Sequence, residues 1–334
     1  MDDLSAAVDA LARAERFSGV VRVDRGDEIE LAAAYGLADR AHGIQNTLET
    51  QFGIASGTKG LTALAVMSLV DDGTLSLSTT ARTFLADDLP LIGDDVTIEH
   101  LLAHRSGIGD YYDEEAEHSV DDYVMPVPVH ELATTEDYLR VLDGHATKFA
   151  PDERFSYCNS GYVVLALVAE RASGVPFHEL VVQRVCEPAR MIDTAFLRSD
   201  ELPGRAALGY LGADGPRTNV FHLPVRGNGD GGIYSTAADI RSFWHAFFDG
   251  SIVPFNRVEE MVRPRSDAKS RRYGLGFWLH ESSSVVLLEG YDAGVSFRSA
   301  YDRDSGNTYT VLSNTTDGAW AVARMLDGRL LSGF

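Results

Sequence analysis

The sequence predicts an α+β fold: an α/β sandwich with an antiparallel sheet, plus an inserted all-α domain. Strand-like segments occur near both termini, while helical spacing and polar loops dominate the long segment between them. Strands at both ends of the chain favour one sheet to which both termini contribute. We therefore expect residues 1–75 and 205–334 to form the α/β domain and residues 76–204 to form the inserted helical domain.

The N-terminal segment predicts a helix, a hairpin and a second helix. Apolar residues at Leu4, Val8 and Leu11 favour an amphipathic first helix. Two strand-like runs then flank a turn rich in Asp and Gly, which is typical of a hairpin. The predicted ranges are 2–16 for the first helix, 19–23 and 29–33 for the strands, and 56–70 for the strongly apolar second helix.

The remaining segments predict further helices and three more strands. An apolar helix that includes residues 161–168 is expected to end at Ser173-Gly174, with Pro176 beyond it. Strand-like runs separated by turns follow at 284–288, 296–301 and 308–312, and a last helix contains Trp320 and Leu326.

Composition limits the classes of partner that the chain can bind. A formal net charge of −21 disfavours nucleic acid and anionic membrane surfaces. No apolar run reaches the roughly 18 residues of a membrane span. We therefore expect neither nucleic acid nor a membrane as a partner, and the sequence leaves the oligomeric state open.

The expected location and cofactors follow from signals that the sequence lacks. The acidic N-terminus has no basic region followed by an apolar core, so no secretory signal is expected. Two cysteines, Cys158 and Cys186, do not make a disulfide framework, which favours a cytoplasmic protein. No metal-ligand spacing and no glycine-rich nucleotide motif occurs, so we expect no metal and no cofactor.

A candidate nucleophile lies at the start of the second helix, in Ser56-Gly57-Thr58-Lys59. A Ser and a Lys three residues apart share one helix face. Burial in so apolar a helix would lower the pKa of Lys59 and leave a neutral amine as a base. The chain has a second S-x-x-K, from Ser266 to Lys269, but its arginine-rich surroundings predict a solvated loop.

A second candidate group is Tyr157-Cys158-Asn159, just before an apolar helix. Near a lysine ammonium the pKa of Tyr157 would fall, and its phenol could then move a proton between nucleophile and leaving group. Asn159 could donate to a substrate carbonyl and orient Lys59. The structural alternative is that Tyr157 is a packed aromatic residue and Asn159 a helix cap.

Together these motifs resemble the serine beta-lactamase-related hydrolases of the penicillin-recognising fold, in the branch of class C lactamases, DD-peptidases and esterases. Ser56–Lys59 matches the S-x-x-K motif and Tyr157–Asn159 the Y-x-N motif. Stretches that resemble further family segments are Leu101–Ile108, Glu187–Met191 and Gly231–Asp239, and the resemblance runs from about Gly19 to Asn314. It implies a beta-lactamase/transpeptidase-like fold and, for His104, support of a loop rather than a role as general base.

The third family motif, K-T-G or H-x-G, is where the chain departs. By position the triplet is Tyr291-Asp292-Ala293, so Tyr291 replaces a cation that would bind a substrate carboxylate. By resemblance the oxyanion hole would be formed by the backbone N–H groups of Ser56 and Gly294. Arg298 is expected either to supply the missing cation or to face solvent as an ordinary strand arginine.

The sequence therefore predicts a serine hydrolase that acts through an acyl-enzyme on a small ester or amide, most simply as an esterase. Alternatives within enzymes are a D-amino-acid peptidase or amidase, a DD-peptidase, a weak beta-lactamase and an acyltransferase. A non-catalytic scaffold with the same fold is the alternative from another class. The acidic run from Asp110 to Glu115 is expected to be a solvated loop; the alternative is that it lines the cleft and selects cationic substrates.

Overall fold

One eight-stranded antiparallel sheet organises the chain, which the computed structural model describes over residues 3–115 and 119–331. The strand order is β2-β1-β12-β11-β10-β9-β8-β7. The strands of this sheet are β1 (Gly19–Arg25), β2 (Glu28–Tyr35), β7 (Ser266–Ala268), β8 (Arg271–Tyr273), β9 (Trp278–His280), β10 (Val285–Asp292), β11 (Val295–Asp302) and β12 (Asn307–Ser313). Two smaller sheets pair β3 (Leu37–Asp39) with β4 (Ile44–Gln45) and β5 (Phe52–Gly53) with β6 (Tyr234–Ser235).

Helices cover both faces of the large sheet and fill the middle of the chain. Over the described residues they are α1 (Asp3–Ala14), α2 (Thr58–Asp71), α3 (Arg82–Leu85), α4 (Ile98–Leu102), α5 (Leu139–Leu142), α6 (Asn159–Ser173), α7 (Phe177–Val181), α8 (Ala237–Phe248), α9 (Phe255–Met261) and α10 (Ala319–Leu330). Single turns of 3₁₀ helix occur at Ala55–Gly57, Val120–Asp122, Val129–Glu131 and Glu136–Tyr138, and a π-helical turn at Val182–Cys186.

The two faces of the sheet pack into two separate cores. In β10, Val285 and Leu287 belong to the core under α1 and α10, whereas Val286 and Leu288 belong to the larger core with α2 and α6. Side chains alternate between the faces of a strand. The next residues of β10 therefore alternate as well, with Gly290 and Asp292 on the α2 face.

The helical middle of the chain is less helical than the sequence predicts. Among the described residues of 76–204, only α6 exceeds two turns, and loops connect the other helices. One such loop is held by Arg82, whose guanidinium donates to four backbone carbonyls, those of Ala86, Asp88, Leu89 and Ile92. Because a side chain satisfies these carbonyls, the segment needs no helix to satisfy them.

All eight strands of the large sheet fall within the two terminal segments, 1–75 and 205–334, and α6 falls within the middle segment. The larger core nevertheless continues from α2 into α6 without a break. The solvated loop predicted at Ser266–Lys269 was wrong, because this segment forms the edge hairpin β7–β8 with Ser266 buried. Lys269 itself is exposed.

Gly290 allows strand β10 to lie directly against the turn that carries Ser56. A Cβ at this position would lie 2.0 Å from the carbonyl oxygen of Ile54 and 3.1 Å from the Cβ of Ala55. Real Cβ atoms do not approach a backbone oxygen so closely, so any side chain would push the strand and the turn apart.

We predict that Gly290→Ala lowers the free energy of unfolding by about 1–3 kcal/mol, because the added methyl group overpacks this contact. Gly328→Ala is the matched control, since Gly328 is helical and a Cβ there meets nothing within 4 Å. It should be neutral or stabilise by up to about 1 kcal/mol. Chemical denaturation measures both, and equal stability of the two variants would contradict the predicted contact.

Candidate active site

A sharp turn presents Ser56 at the start of α2. Ala55 adopts φ of 45°, a left-handed conformation that residues other than glycine rarely adopt and that often occurs at functional sites. The Thr58 hydroxyl donates to the Ala55 carbonyl at 2.7 Å and accepts from the Ile233 N–H at 3.2 Å. These bonds hold the turn in place against β6, so the Ser56 hydroxyl projects into the cleft that it lines.

Lys59 lies directly beneath Ser56 and is only 1% exposed. Its Nζ donates to three oxygens: Ser56 Oγ at 2.9 Å, Asn159 Oδ1 at 2.8 Å and the Asp230 carbonyl at 2.7 Å. As an ammonium, Lys59 has an acceptor for each of its three N–H groups, as a buried cation requires. As a neutral amine it has two N–H groups for Asn159 and Asp230, and its lone pair accepts the hydrogen bond of the Ser56 hydroxyl. The structure brings the predicted nucleophile and base within hydrogen-bond distance.

Burial has the largest effect on the pKa of the Lys59 amine. Desolvation lowers the pKa of Lys59 below 10.5, as expected from the sequence. Nearby carboxylates oppose the shift, with Asp230 the strongest, followed by Glu114, Asp292 and Asp110. The cleft therefore holds a desolvated amine inside a ring of acids.

Tyr157 stands beside the pair. Its hydroxyl is hydrogen-bonded to Ser56, and its ring centroid lies 4.9 Å from Lys59 Nζ. The ring also stacks on Trp278 at 5.8 Å, which fixes its orientation. The expected fall in the pKa of Tyr157 was wrong: burial, with a smaller effect of Glu114, raises it well above 10. Tyr157 is a neutral phenol in this site.

Asn159 links the base to the acidic loop. As the first residue of α6, it accepts from Lys59 through Oδ1 and donates through Nδ2 to the Tyr112 carbonyl at 3.0 Å. The buried Asp110 carboxylate accepts from the backbone N–H groups of Asn159 at 2.8 Å and Ser160 at 2.9 Å. A carboxylate at this helix N-terminus satisfies two free donors.

The acidic run from Asp110 to Glu115 is therefore not a solvated loop. Asp110 is buried, and Tyr111, Tyr112 and Glu114 line the cleft. Glu114 is exposed at the mouth, with Oε1 3.4 Å from Asn159 Nδ2. The sequence predicted a solvated loop because a dense run of acidic residues is usually exposed to water. Here the N-terminus of α6 and the charge of Lys59 attract these carboxylates into the cleft.

The structure corrects two predictions for the third motif. Tyr291 reaches the rim of the cleft, but its ring packs on Trp320 of α10 at 5.8 Å, on the face of the sheet opposite to α2. Gly294 lies in the two-residue turn between β10 and β11, and its N–H donates to Thr316 Oγ1 at 2.9 Å, so it is not available as an oxyanion donor. Because side chains alternate between the two faces of a strand, the side chain of Asp292, and not that of Tyr291, lies on the same face as the nucleophile.

Arg298 neither supplies the missing cation nor faces solvent. It is buried and pairs with Glu289 and Asp327 in the core beneath α10, with Nη1 2.6 Å from Asp327 Oδ2. Both of the expected alternatives were wrong, because Arg298 lies on the sheet face away from the cleft. Its charge is already neutralised there by two carboxylates.

His104 and Cys158 support the site without facing it. The buried His104 accepts from the Cys158 N–H through Nδ1 at 3.0 Å, and its ring lies 4.3 Å from that of Tyr157. Burial lowers the pKa of His104 well below 6.5 and raises that of the Cys158 thiol, so both groups stay uncharged.

The cleft around Ser56 encloses about 1040 Å³, including its open mouth. Among the residues that the structure describes, three carboxylates and six tyrosines line it, and no arginine or lysine does. The residues are Glu114, Asp230, Asp292, Tyr111, Tyr112, Tyr123, Tyr138, Tyr234 and Tyr291. Asp230 and Tyr111, which are hydrogen-bonded to each other, were not predicted; the only signal was the position of Asp230 just before the family-like stretch that begins at Gly231.

The described residues offer neither a metal cluster nor a membrane-spanning helix. Across residues 3–115 and 119–331, no group of three or more His, Cys, Asp or Glu side chains is placed to hold a metal ion. In the same part of the chain, every helix is too short or too polar to cross a membrane.

The fold and the cleft together define an enzyme with an active-site serine. The fold supplies the large sheet with its terminal helices, and the cleft holds a serine, a buried lysine and a tyrosine. Comparisons with known proteins agree: the beta-lactamase family model matches residues 4–333, and the chain belongs to this family. Its relatives are serine hydrolases, which confirms the predicted fold class, family and enzyme class.

Three relatives illustrate the range of this family. The putative penicillin-binding protein PbpX of Bacillus subtilis is 30% identical over 306 residues, which are 91% of this chain and 72% of PbpX. Esterase EstB of Burkholderia gladioli is 36% identical over 62% of this chain and 54% of its own length. The crystal structure of a penicillin-binding protein from Bacillus halodurans superposes with a TM-score of 0.91 at 34% identity, covering 97% of this chain and all of that one.

We predict that Asp110→Ala lowers the free energy of unfolding by about 1–2 kcal/mol, because two N–H groups of α6 lose their acceptor. It should also lower the rate of any Ser56-dependent reaction, since Asn159 would no longer be held against Lys59. Asp267→Ala is the control, because the Asp267 side chain is 93% exposed. Chemical denaturation and ester turnover test this, and a variant with wild-type stability would contradict it.

Proposed function

We propose that the protein is an esterase-like serine hydrolase with Ser56 as nucleophile and Lys59 as its base. The observation that carries the proposal is the 2.9 Å contact between Lys59 Nζ and Ser56 Oγ, made by a lysine that is 1% exposed. A desolvated amine at this distance can accept the hydroxyl proton as the oxygen attacks.

The proposed reaction has two halves. Ser56 Oγ attacks the carbonyl carbon of an ester or amide while its proton passes to neutral Lys59. Tyr157, a neutral phenol in contact with Ser56, gives its proton to the leaving group and is reprotonated by Lys59, which returns to the neutral amine. The acyl-enzyme is then resolved by water, whose proton returns through the same residues. Asn159 keeps Lys59 aligned throughout through its Oδ1.

The proposed oxyanion donors are the backbone N–H groups of Ser56 and Tyr291. In an antiparallel pair, residues alternate between bonded and non-bonded positions. Since Asp292 and Val295 flank a two-residue turn, Tyr291 and Ser296 form a non-bonded pair. The N–H of Tyr291 then faces the edge of β10 that β11 does not cover. On this edge β9 pairs with β10 only as far as Leu287, and Gly290 lies against the nucleophile turn.

The charges around the cleft favour an esterase over enzymes that bind carboxylates. Penicillins and peptides that end in D-alanine carry a carboxylate, and within residues 3–115 and 119–331 the lining offers no Arg or Lys to receive it. Asp292 would repel it. A D-amino-acid peptidase or amidase, and an acyltransferase, use the same attack and differ in the acyl group or the acceptor. Turnover of nitrocefin against short p-nitrophenyl esters distinguishes beta-lactamase from esterase.

We also propose a reducing, cytoplasmic location, which the two cysteines support. Cys158 and Cys186 are both free and buried.

We predict that Ser56→Ala abolishes both ester hydrolysis and covalent labelling by a fluorophosphonate probe, because the attacking oxygen is removed. Lys59→Met should lower kcat by at least about 10²-fold, since the proton acceptor is lost. Ester turnover and mass spectrometry of the labelled protein measure these effects.

The second S-x-x-K of the chain provides matched controls. Ser266→Ala and Lys269→Ala remove the same residue types at the same spacing, in the edge hairpin β7–β8. Both should keep wild-type labelling and turnover. Full activity of Ser56→Ala, or loss of labelling in Ser266→Ala, would refute the assignment of the nucleophile.

We predict that kcat/KM for a neutral ester rises with pH, because only neutral Lys59 can act as a base. The midpoint should lie below 10.5, since burial lowers the pKa of Lys59. Asp230→Asn should shift the rise to lower pH, because Asp230 is the charge that most raises this pKa; Glu114, Asp292 and Asp110 remain. A pH profile of both proteins tests this, and a shift in the opposite direction would contradict it.

A further inference from the structure

We propose that the cleft selects ester or amide substrates that carry a cationic ammonium group, with Asp292 as the residue that pairs with it. This inference rests on the proposed function and specifies its substrate class. Three observations support it. Asp292 lies next to the nucleophile turn, its carboxylate has unused hydrogen-bond capacity, and the residues that line the cleft are acidic and aromatic.

Asp292 lies on the α2 face of β10 and points into the cleft. A Cβ placed on Gly231 would lie 3.7 Å from Asp292 Oδ2 and 3.5 Å from the carbonyl carbon of Ala55, the residue before the nucleophile. The carboxylate and the reactive turn therefore flank the same glycine. A group bound to Asp292 would lie beside the reacting carbonyl.

The Asp292 carboxylate lacks the donors that satisfy its neighbours. Asp110 accepts two backbone N–H groups, and Asp230 accepts the Tyr111 hydroxyl. Among the described residues, no side chain or backbone group donates a hydrogen bond to the Asp292 carboxylate, which is affected by burial and by the charges of Asp230, Lys59 and Glu114. A carboxylate set in a protein cleft without a donor is stabilised most effectively by a cation.

The electrostatics of the cleft favour the same occupant. Burial, with smaller contributions from Asp230 and Glu114 and against the opposing effect of Lys59, raises the pKa of Asp292 to about 7. A bound cation would favour the ionised carboxylate, whereas a bound anion would oppose it. The net charge of −21 adds a long-range attraction for cations.

The tyrosines supply the second element of ammonium recognition. Six tyrosines line the cleft together with the three carboxylates. Tyrosine rings attract ammonium groups through cation–π contacts, and aromatic side chains combined with carboxylates are well suited to quaternary ammonium ions. Asp292 supplies the charge, and the rings supply apolar contact for methyl groups on nitrogen.

The test compares cationic esters with neutral isosteres that have the same shape. With the cation on the acyl group, p-nitrophenyl 4-(trimethylammonio)butyrate is compared with p-nitrophenyl 5,5-dimethylhexanoate. With the cation on the leaving group, butyrylcholine is compared with 3,3-dimethylbutyl butyrate. Each kcat/KM is divided by the hydroxide-catalysed rate of the same ester. We expect the wild-type protein to prefer the cationic member of at least one pair by about tenfold, and the two pairs show on which side the cation binds.

Asp292→Asn should reduce this preference to about twofold or less, because it keeps the shape and removes the charge. Asp267→Asn removes an equal charge from an exposed hairpin and should keep both the preference and the activity. In the wild-type protein the preference should also fall as NaCl rises from 20 mM to 0.5 M, a measurement that needs no variant.

The outcomes separate the two proposals. Turnover of the neutral esters without a cationic preference, or a preference that Asp292→Asn retains or that salt does not affect, overturns the ammonium site and leaves the hydrolase standing. No turnover of any ester, cationic or neutral, overturns the proposed function itself.

Discussion

The burial of Lys59 is the constraint on which the rest of the site depends. An amine with 1% exposure must find acceptors within the protein, and it finds them in Ser56, Asn159 and the Asp230 carbonyl. These three acceptors come from the nucleophile turn, the start of α6 and the segment before β6. A single desolvated nitrogen therefore determines where three distant parts of the chain meet, and its proton affinity follows from the same burial.

The second constraint is the approach of β10 to the nucleophile turn. Gly290 permits the contact with Ile54 and Ala55, and the pleat of the strand then decides which side chains face the cleft. Asp292 lies on the cleft side, while Glu289 and Tyr291 turn to α10, where Glu289 and Asp327 neutralise Arg298. The described part of the cleft lining therefore contains no Arg or Lys that would receive a carboxylate, although a buried arginine lies on the opposite face of the same sheet.

Motif spacing and strand patterning predicted most of the fold and the proximity of Ser56, Lys59, Tyr157 and Asn159. The hairpins, the S-x-x-K pair and the Y-x-N segment depend on local periodicity and on short-range geometry, so the sequence alone indicates them. The orientation of Tyr291 and the engagement of the Gly294 N–H depend on strand register and on a partner, Thr316, that is distant in sequence. The roles of Asp110 and Asp230 depend on tertiary contacts with α6 and Lys59, which no local pattern encodes.

The position of Asn159 has a consequence for how such an enzyme could change its specificity. Its side chain joins Lys59 to the Tyr112 carbonyl, and its N–H joins Asp110, so the loop that lines the cleft and the group that activates the serine share one residue. Mutations that reshape the loop to admit a new substrate would also move the amine. We therefore expect adaptation of this chain to new substrates to occur more easily at the lining residues Asn219, Val220 and 222–225, because the described hydrogen bonds of Lys59 go to Ser56, Asn159 and Asp230 and not to them.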